Sequence, residues 1–358
     1  MFQGCTGLTK APELPAITLA NECYVGMFEN CTSLTQVPDL PATTLTTYCY
    51  HYMFAGCTSL TQAPSLLATT LGERCCEGMF SDCTSLIRAS ELPATTLATY
   101  CYNQMFLNCT ALTQAPSLPA TTLANSCYFN MFGGCTSLTQ APALPATTLA
   151  VDCYTDMFDG CTSLTQAPAL SATTLVDGCY RSMFQGCTSL TQAPALPATT
   201  LASSCYNDMF FNCSALTKIP ELPATTLGNS CYLNMFYGCT SLKLSSTKTG
   251  EYTQEYRIPS SGTGTADKTS LIGMFYSTGG TFTGDPSINT TYYLSTDNMI
   301  VRETEVATLN GYVASMIDVA AVPTTRKING KALSADITLS ATDVNALPST
   351  TTIPSKTS

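Results

Sequence analysis

Tryptophan is absent from the 358 residues, histidine occurs once, and only 11% of positions are charged. With His51 alone, no pair of imidazoles exists to share a proton or to hold zinc. The 14 Lys and Arg against 24 Asp and Glu leave a net charge of -10. That is the wrong sign for a surface that neutralises phosphates, so nucleic acid is not an expected partner. No stretch reaches the roughly 18 consecutive apolar residues of a membrane helix, and the N-terminus lacks a basic region followed by an apolar one. Neither membrane insertion nor a signal peptide is expected. "LPATT" lacks the Gly of a sortase signal and recurs internally, which makes it a repeat position. Yet 45% of residues are hydrophobic, too many for an acidic disordered polymer.

What the chain has in abundance is itself. A Met-Phe pair falls at Met1, Met27, Met53, Met79, Met105, Met131, Met157, Met183, Met209 and Met235, a constant step (27 - 1 = 26; 235 - 209 = 26). Ten copies without an insertion predict a solenoid whose coils stack in register. In each unit a segment such as "CTSLTQAPALPATTL" (135–149) has Leu138, Leu144 and Leu149 as anchors, with prolines that limit every extended piece. Short parallel strands and turns are expected there. The following "AVDCYTDMFDGC" places Cys153 and Met157, and Tyr154 and Phe158, four apart, which predicts a short helix of about two turns. Two residues after each Phe of the Met-Phe pair stands Gly, Asn or Asp (Gly4, Asn30, Gly56, Asp82 and onward), the types that enter the left-handed region at least cost and end a helix.

"MFxGCTSLTQAP" followed by "LPATTLAxxCY" resembles the BspA-like leucine-rich repeats of bacterial surface proteins over residues 1–244. The resemblance implies a leucine-rich-repeat solenoid of α/β type, ten coils of 26 residues, and a role in binding at a cell surface. Ala141 stands where that family often carries a larger aliphatic residue.

All 20 cysteines lie in the repeats. Coils about 4.8 Å apart keep same-column Cβ atoms farther apart than the roughly 3.5–4.5 Å of a disulfide. Within a unit the two cysteines are separated by the expected helix. Buried reduced thiols acting as small hydrophobes are therefore expected, with disulfides and metal as the alternatives. No cofactor is implied, and no spacing brings a general acid to a base or activates a nucleophile, so no enzyme is expected. His51 is read as a solvent-facing variant.

Against so uniform a frame, variation between copies marks candidate ligand contacts on the outward side of the expected helix: Tyr52, Phe129, Arg181, Phe211 and Tyr237. The alternative is unconstrained solvent-facing residues. A second candidate is the strand ladder of Thr35, Gln36, Gln62, Gln114, Gln140, Gln166 and Gln192, which could bind glycan or protein or simply keep the sheet wet.

Beyond the repeats, 245–270 is Ser/Thr/Gly-rich and reads as a linker, and 271–301 as a small β-rich region. Over 302–322, Val306, Leu309, Val313 and Met316 follow heptad spacing, the seam of an oligomeric neck or of an amphipathic helix. The remainder, 323–358, contains Asn329-Gly330, a hairpin signal. From Lys327 to Leu347 the chain is similar to the "NGKxLxxDITLxAxDV" segment of bacteriophage tail fibres, which implies a trimer. The chain opens in mid-repeat at Met1, so a partner or further sequence is expected over that end. Three readings follow. The first is a repeat module on a phage or prophage tail fibre that binds a bacterial surface ligand. The second is a bacterial cell-surface adhesin that binds host or bacterial protein or glycan. The third is a structural spacer. The expected location is extracellular, on a virion or a cell surface.

Overall fold

One coil of 26 residues cannot bury its own apolar side, and it is stacking that buries it. The computed structural model describes residues 1–259, 269–302, 327–328 and 331–332, which fall in two units, Met1–Glu303 and Thr304–Ser358. In the first unit each repeat is one coil laid on the next. The Phe rings of the Met-Phe pairs form one continuous ladder, Phe2 through Phe236 and on to Phe275, with centroids 5.4–5.7 Å apart and planes 4–8° from parallel. A tyrosine ladder runs beside it from Tyr102 to Tyr232 at 5.8–6.0 Å. The Leu34, Leu60 and Leu86 column and the Met53, Met79 and Met105 column are fully buried with them.

The expected short helix is not formed. Among the described residues there is no α-helix, only a 3₁₀ turn at Thr269–Leu271. Residues 22–31 show what replaces it. The N–H groups of Glu22, Tyr24, Gly26, Phe28 and Asn30 donate to carbonyls of the next coil, at Thr47, Cys49, His51, Met53 and Ala55. Those of Val25, Met27, Glu29 and Cys31 fold back onto the carbonyl three residues earlier. From Tyr24 to Cys31 the N–H groups are satisfied alternately between coils and within one, whereas a helix would spend all of them internally. Positive φ at Glu22, Gly26 and Asn30, repeated every four residues in later coils, rules out a right-handed helical run and gives a ribbon of overlapping turns. The expected four-residue inward spacing survives the change: Cys153, Tyr154, Met157, Phe158 and Cys161 are all buried.

The other half of each coil crosses the stack as single parallel bridges, not full strands. Examples are Gln140↔Gln166 and Gln166↔Gln192 in one column, Leu40↔Leu66 in a second and Thr122↔Thr148 in a third. The prolines between them keep each bridge from extending.

After the tenth Met-Phe pair the chain builds a cap. Strand β1 (Lys218–Pro220) pairs in parallel with β6 (Met299–Val301), which takes the place that the next coil would have held. Strand β2 (Lys243–Ser245) leaves that column and joins a four-stranded sheet of order β3-β5-β2-β4, with β3 at Tyr252–Arg257, β4 at Gly279–Gly280 and β5 at Thr291–Ser295. The stretch 245–270, expected as a linker, thus holds β3. Residues 269–278 form an eleventh ribbon. The N–H groups of Tyr232, Asn234, Phe236 and Gly238 donate to carbonyls of Ser270, Ile272, Met274 and Tyr276, a step of 270 - 232 = 38 where earlier coils step 231 - 206 = 25. Thirteen extra residues hid this coil from the count, although Met274-Phe275 repeats the signature dipeptide. Tyr256 and Phe282 meet Phe275 edge-on and end the parallel ring ladder.

In the second unit, β7 (Lys327–Ile328) pairs antiparallel with β8 (Lys331–Ala332), the two-residue hairpin that Asn329-Gly330 predicts. The heptad positions Val306, Leu309, Val313 and Met316 lie outside the described residues.

Candidate functional site

The ribbon decides where the variable side chains go, and it does not gather the five expected contacts into one strip. Phe129 and Arg181 share a column two coils apart (181 - 129 = 52), Tyr52 lies in the adjacent column, and Phe211 and Tyr237 in a third. All five are half-buried rather than on an outward helix face. Only Phe211 and Tyr237 come together, their rings stacked at 4.7 Å and continued by Tyr276 at 6.3 Å. Tyr276 belongs to the eleventh coil, so the sequence reading missed it.

Tyr52 lies over Gly78, whose missing side chain makes room for the ring, and donates its hydroxyl to Gln104 two coils away at 3.1 Å. Around it is a polar cluster that the spacing did not announce. Arg74 bonds Glu77 at 2.9 Å and its guanidinium lies 3.9 Å over the Tyr100 ring, with Tyr48 on the other side at 5.9 Å. His51 reaches Glu77 at 3.5 Å and packs edge-on against Tyr48 and Tyr52. His51 is thus half-buried in a cluster, not a solvent-facing variant. Burial raises the Glu77 carboxyl, and hydrogen bonds from His51 and Arg74 more than reverse this, leaving it below the usual range.

Further along the ribbon the acids gather. Arg181 stands 3.5 Å from Asp152. Burial, and then the neighbouring Asp159 charge, push the Asp156 carboxyl up to about 6, against the opposing pull of Arg181 and Ser182. Burial likewise raises Asp159 and Asp208. Among the described residues no three His, Cys, Asp or Glu are placed to hold a metal ion.

All 20 cysteines are unpaired, and only Cys5 and Cys23 are exposed. Burial pushes the Cys57, Cys127, Cys135 and Cys179 thiols up to about 12. They stay protonated at neutral pH and are weak nucleophiles.

The second candidate, the strand-side ladder, is brought together as expected. Gln36, Gln62, Gln114, Gln140 and Gln166 are exposed, Gln192 half-exposed, and Thr35 stands beside Gln36. Lys10, Arg88 and Lys218 complete the column, as their bridges to Gln36, Gln62, Gln114 and Gln192 show. Parallel to it runs a ladder of exposed Thr pairs, bridged through Thr44↔Thr70, Thr96↔Thr122 and Thr200↔Thr226.

Among known protein families, the model described as the BspA type leucine rich repeat region, six copies, matches residues 1–113, 27–165, 69–191 and 154–251. No curated protein and no solved structure matches the chain.

Proposed function

Because the chain belongs to the family of BspA-type leucine-rich repeats, we propose that it is a non-enzymatic binding protein of a cell surface. Its coils form a solenoid that presents side chains to a protein or glycan on a bacterial or host cell. The observation that carries this reading is the division within each coil. Inward columns of Phe, Met, Leu and Cys are nearly constant, and most of the variety in charge lies at exposed or half-buried positions. Solenoids of this construction expose long continuous surfaces suited to macromolecular partners. No helix among the described residues is long and apolar enough to cross a membrane. The test is direct. Fluorescently labelled full-length protein should bind bacterial or epithelial cells saturably, with unlabelled protein competing. Binding that is linear and uncompeted on both would overturn the reading and leave a structural spacer.

The hairpin at Lys327–Ala332 favours one second reading. It stands within the segment similar to tail fibres, and on that reading the chain is the recognition module of a phage or prophage fibre, a homotrimer joined through Val306, Leu309, Val313 and Met316. Light scattering should then give a trimer for the full chain and a monomer for a chain ending at Arg302. Two monomers would remove this reading.

A further inference from the structure

The three coils that begin at Cys135, Cys161 and Cys187 differ from one another almost entirely on one side. On the strand side, residues 135–149 and 187–201 are identical, and 161–175 departs from them once, with Ser171 in place of Pro. On the ribbon side equivalent positions have diverged: Val151, Asp177 and Ser203 in one column, Asp159, Gln185 and Phe211 in another. A duplication copies both halves of a coil, so the identity of one half needs its own cause. Packing supplies that cause for Leu138, Leu144 and Leu149, which are buried. It supplies none for the side chains of Gln140, Ala143 and Thr148, which are exposed.

Charge is divided in the same way. From residue 92 to residue 217 every charged side chain, Asp152, Asp156, Asp159, Asp177, Arg181 and Asp208, belongs to the ribbon half. The strand side of these coils is polar and wholly neutral. The Thr165 hydroxyl donates to the Thr139 carbonyl at 3.3 Å, which orders the side chain.

We infer that the strand side of coils 135–201 is the docking surface for a neutral polysaccharide lying along the stack. This rests on the binding function proposed above and names its face and its partner. A chain of identical sugars meets the same columns at every step of about 4.8 Å, so uniform columns are what it selects. A folded protein has no such repeat and would favour coil-to-coil variety. An anionic polymer would find a countercharge only at the edge of this face, where the Lys218 ammonium bonds the Gln192 side chain at 3.3 Å. Gln140, Gln166 and the Thr pairs supply hydrogen bonds to sugar hydroxyls, while Ala143, Pro145 and the Thr methyls meet the C–H faces. Each contact is weak and recurs from coil to coil, so affinity grows with the number of coils engaged.

The test is affinity electrophoresis of the full chain through gels containing mannan, dextran or mixed-linkage β-glucan, with alginate as the charged comparison. At least one neutral polysaccharide should retard the protein and alginate should not. Q140E/Q166E/Q192E should weaken that retardation at least tenfold, and F211A/Y237A should leave it unchanged. Circular dichroism checks that each variant folds, and Q140A/Q166A/Q192A takes the place of the Glu variant if that one does not. The inference is overturned if no neutral polysaccharide retards the chain, or if retardation is lost with F211A/Y237A and kept with the Gln variants. Cell binding that is abolished by protease treatment of the cells and insensitive to periodate would sink the glycan face while leaving the binding function standing. No binding to cells or to any neutral polysaccharide would sink both.

Discussion

A cysteine in this core is more than a small hydrophobe. The Sγ–H of Cys135 donates to the Phe106 carbonyl of the preceding coil at 3.1 Å, and Cys161 and Cys187 repeat the bond to Phe132 and Phe158. That same Phe106 carbonyl also accepts the N–H of Cys109 in its own coil, so the thiol uses its second lone pair. Cys135→Ala should destabilise the protein by about 1–3 kcal/mol, since it leaves a buried acceptor short of a partner and opens a small void. Cys135→Ser keeps a donor and should cost less; urea melts of the two variants decide. In the native protein an aromatic disulfide reagent at pH 8 should titrate two thiols, Cys5 and Cys23. Because burial raises Cys57 and Cys135 to about 12 in the folded state, their contribution is fully present below the unfolded thiol value of about 8.5. It is lost as pH rises from there toward 12, so melting temperature should fall across that window. Asp156 has the same sign at lower pH. Its folded value of about 6 lies above the unfolded 3.8, so stability falls as pH rises from about 4 to about 6, and Asp156→Asn should flatten that part of the curve. The burial of the thiols was legible in the sequence. The acceptors of the Cys135, Cys161 and Cys187 thiols were not, because each lies in another coil, 29 residues back.

The ribbon shows how far a periodicity can be read. Inward residues four apart suit a helix of 3.6 residues per turn and suit equally a ribbon that repeats every four, so the buried set was legible and the backbone was not. What separates the two is positive φ at every fourth residue. One such column, Gly4 through Gly238, is pure Gly, Asn and Asp and was read correctly as left-handed. The other two carry Tyr48, Arg74, Tyr100, Tyr52 and Gln104, residues that conceal the requirement because stacking and hydrogen bonds to neighbouring coils compensate for it. Gly160 offers a clean measurement. At φ +69°, an added Cβ would meet only the Gly134 backbone at 3.7 Å or beyond, so the site has room and only the backbone resists. Gly160→Asn should therefore cost a few tenths of a kcal/mol, and Gly160→Val about 1–2 kcal/mol; thermal melts that rank them the other way would remove the argument. Gly56 carries a second constraint, because the Asn30 carboxamide occupies the space of a side chain there.

At the scale of the molecule, the stack is finished at its C-terminal side by a reuse of its own parts. The chain inserts thirteen residues, lays down an eleventh ribbon with Phe275 on the ring ladder, and returns β6 to the column that β2 has left. Asn298 ties the exchange together. Its side-chain amide donates to the Thr217 and Ser241 carbonyls, and its carboxamide oxygen accepts the Lys243 N–H. The sequence concealed this cap because its spacing breaks the 26-residue count and its Ser, Thr and Gly content is that of a linker, while Tyr256, Ile258 and Leu294, which fill it, are far apart in the chain (294 - 256 = 38). Repeat arrays need a cap because each interior coil has apolar surface on both sides. A chain ending at Ser246 loses β3 to β6 together, and with them the rings that close the ladder. It should aggregate or melt well below the full chain, whereas a chain ending at Arg302 should melt with it. Equal melting temperatures for the two truncations would mean that the eleventh coil and its sheet lie on the stack without holding it.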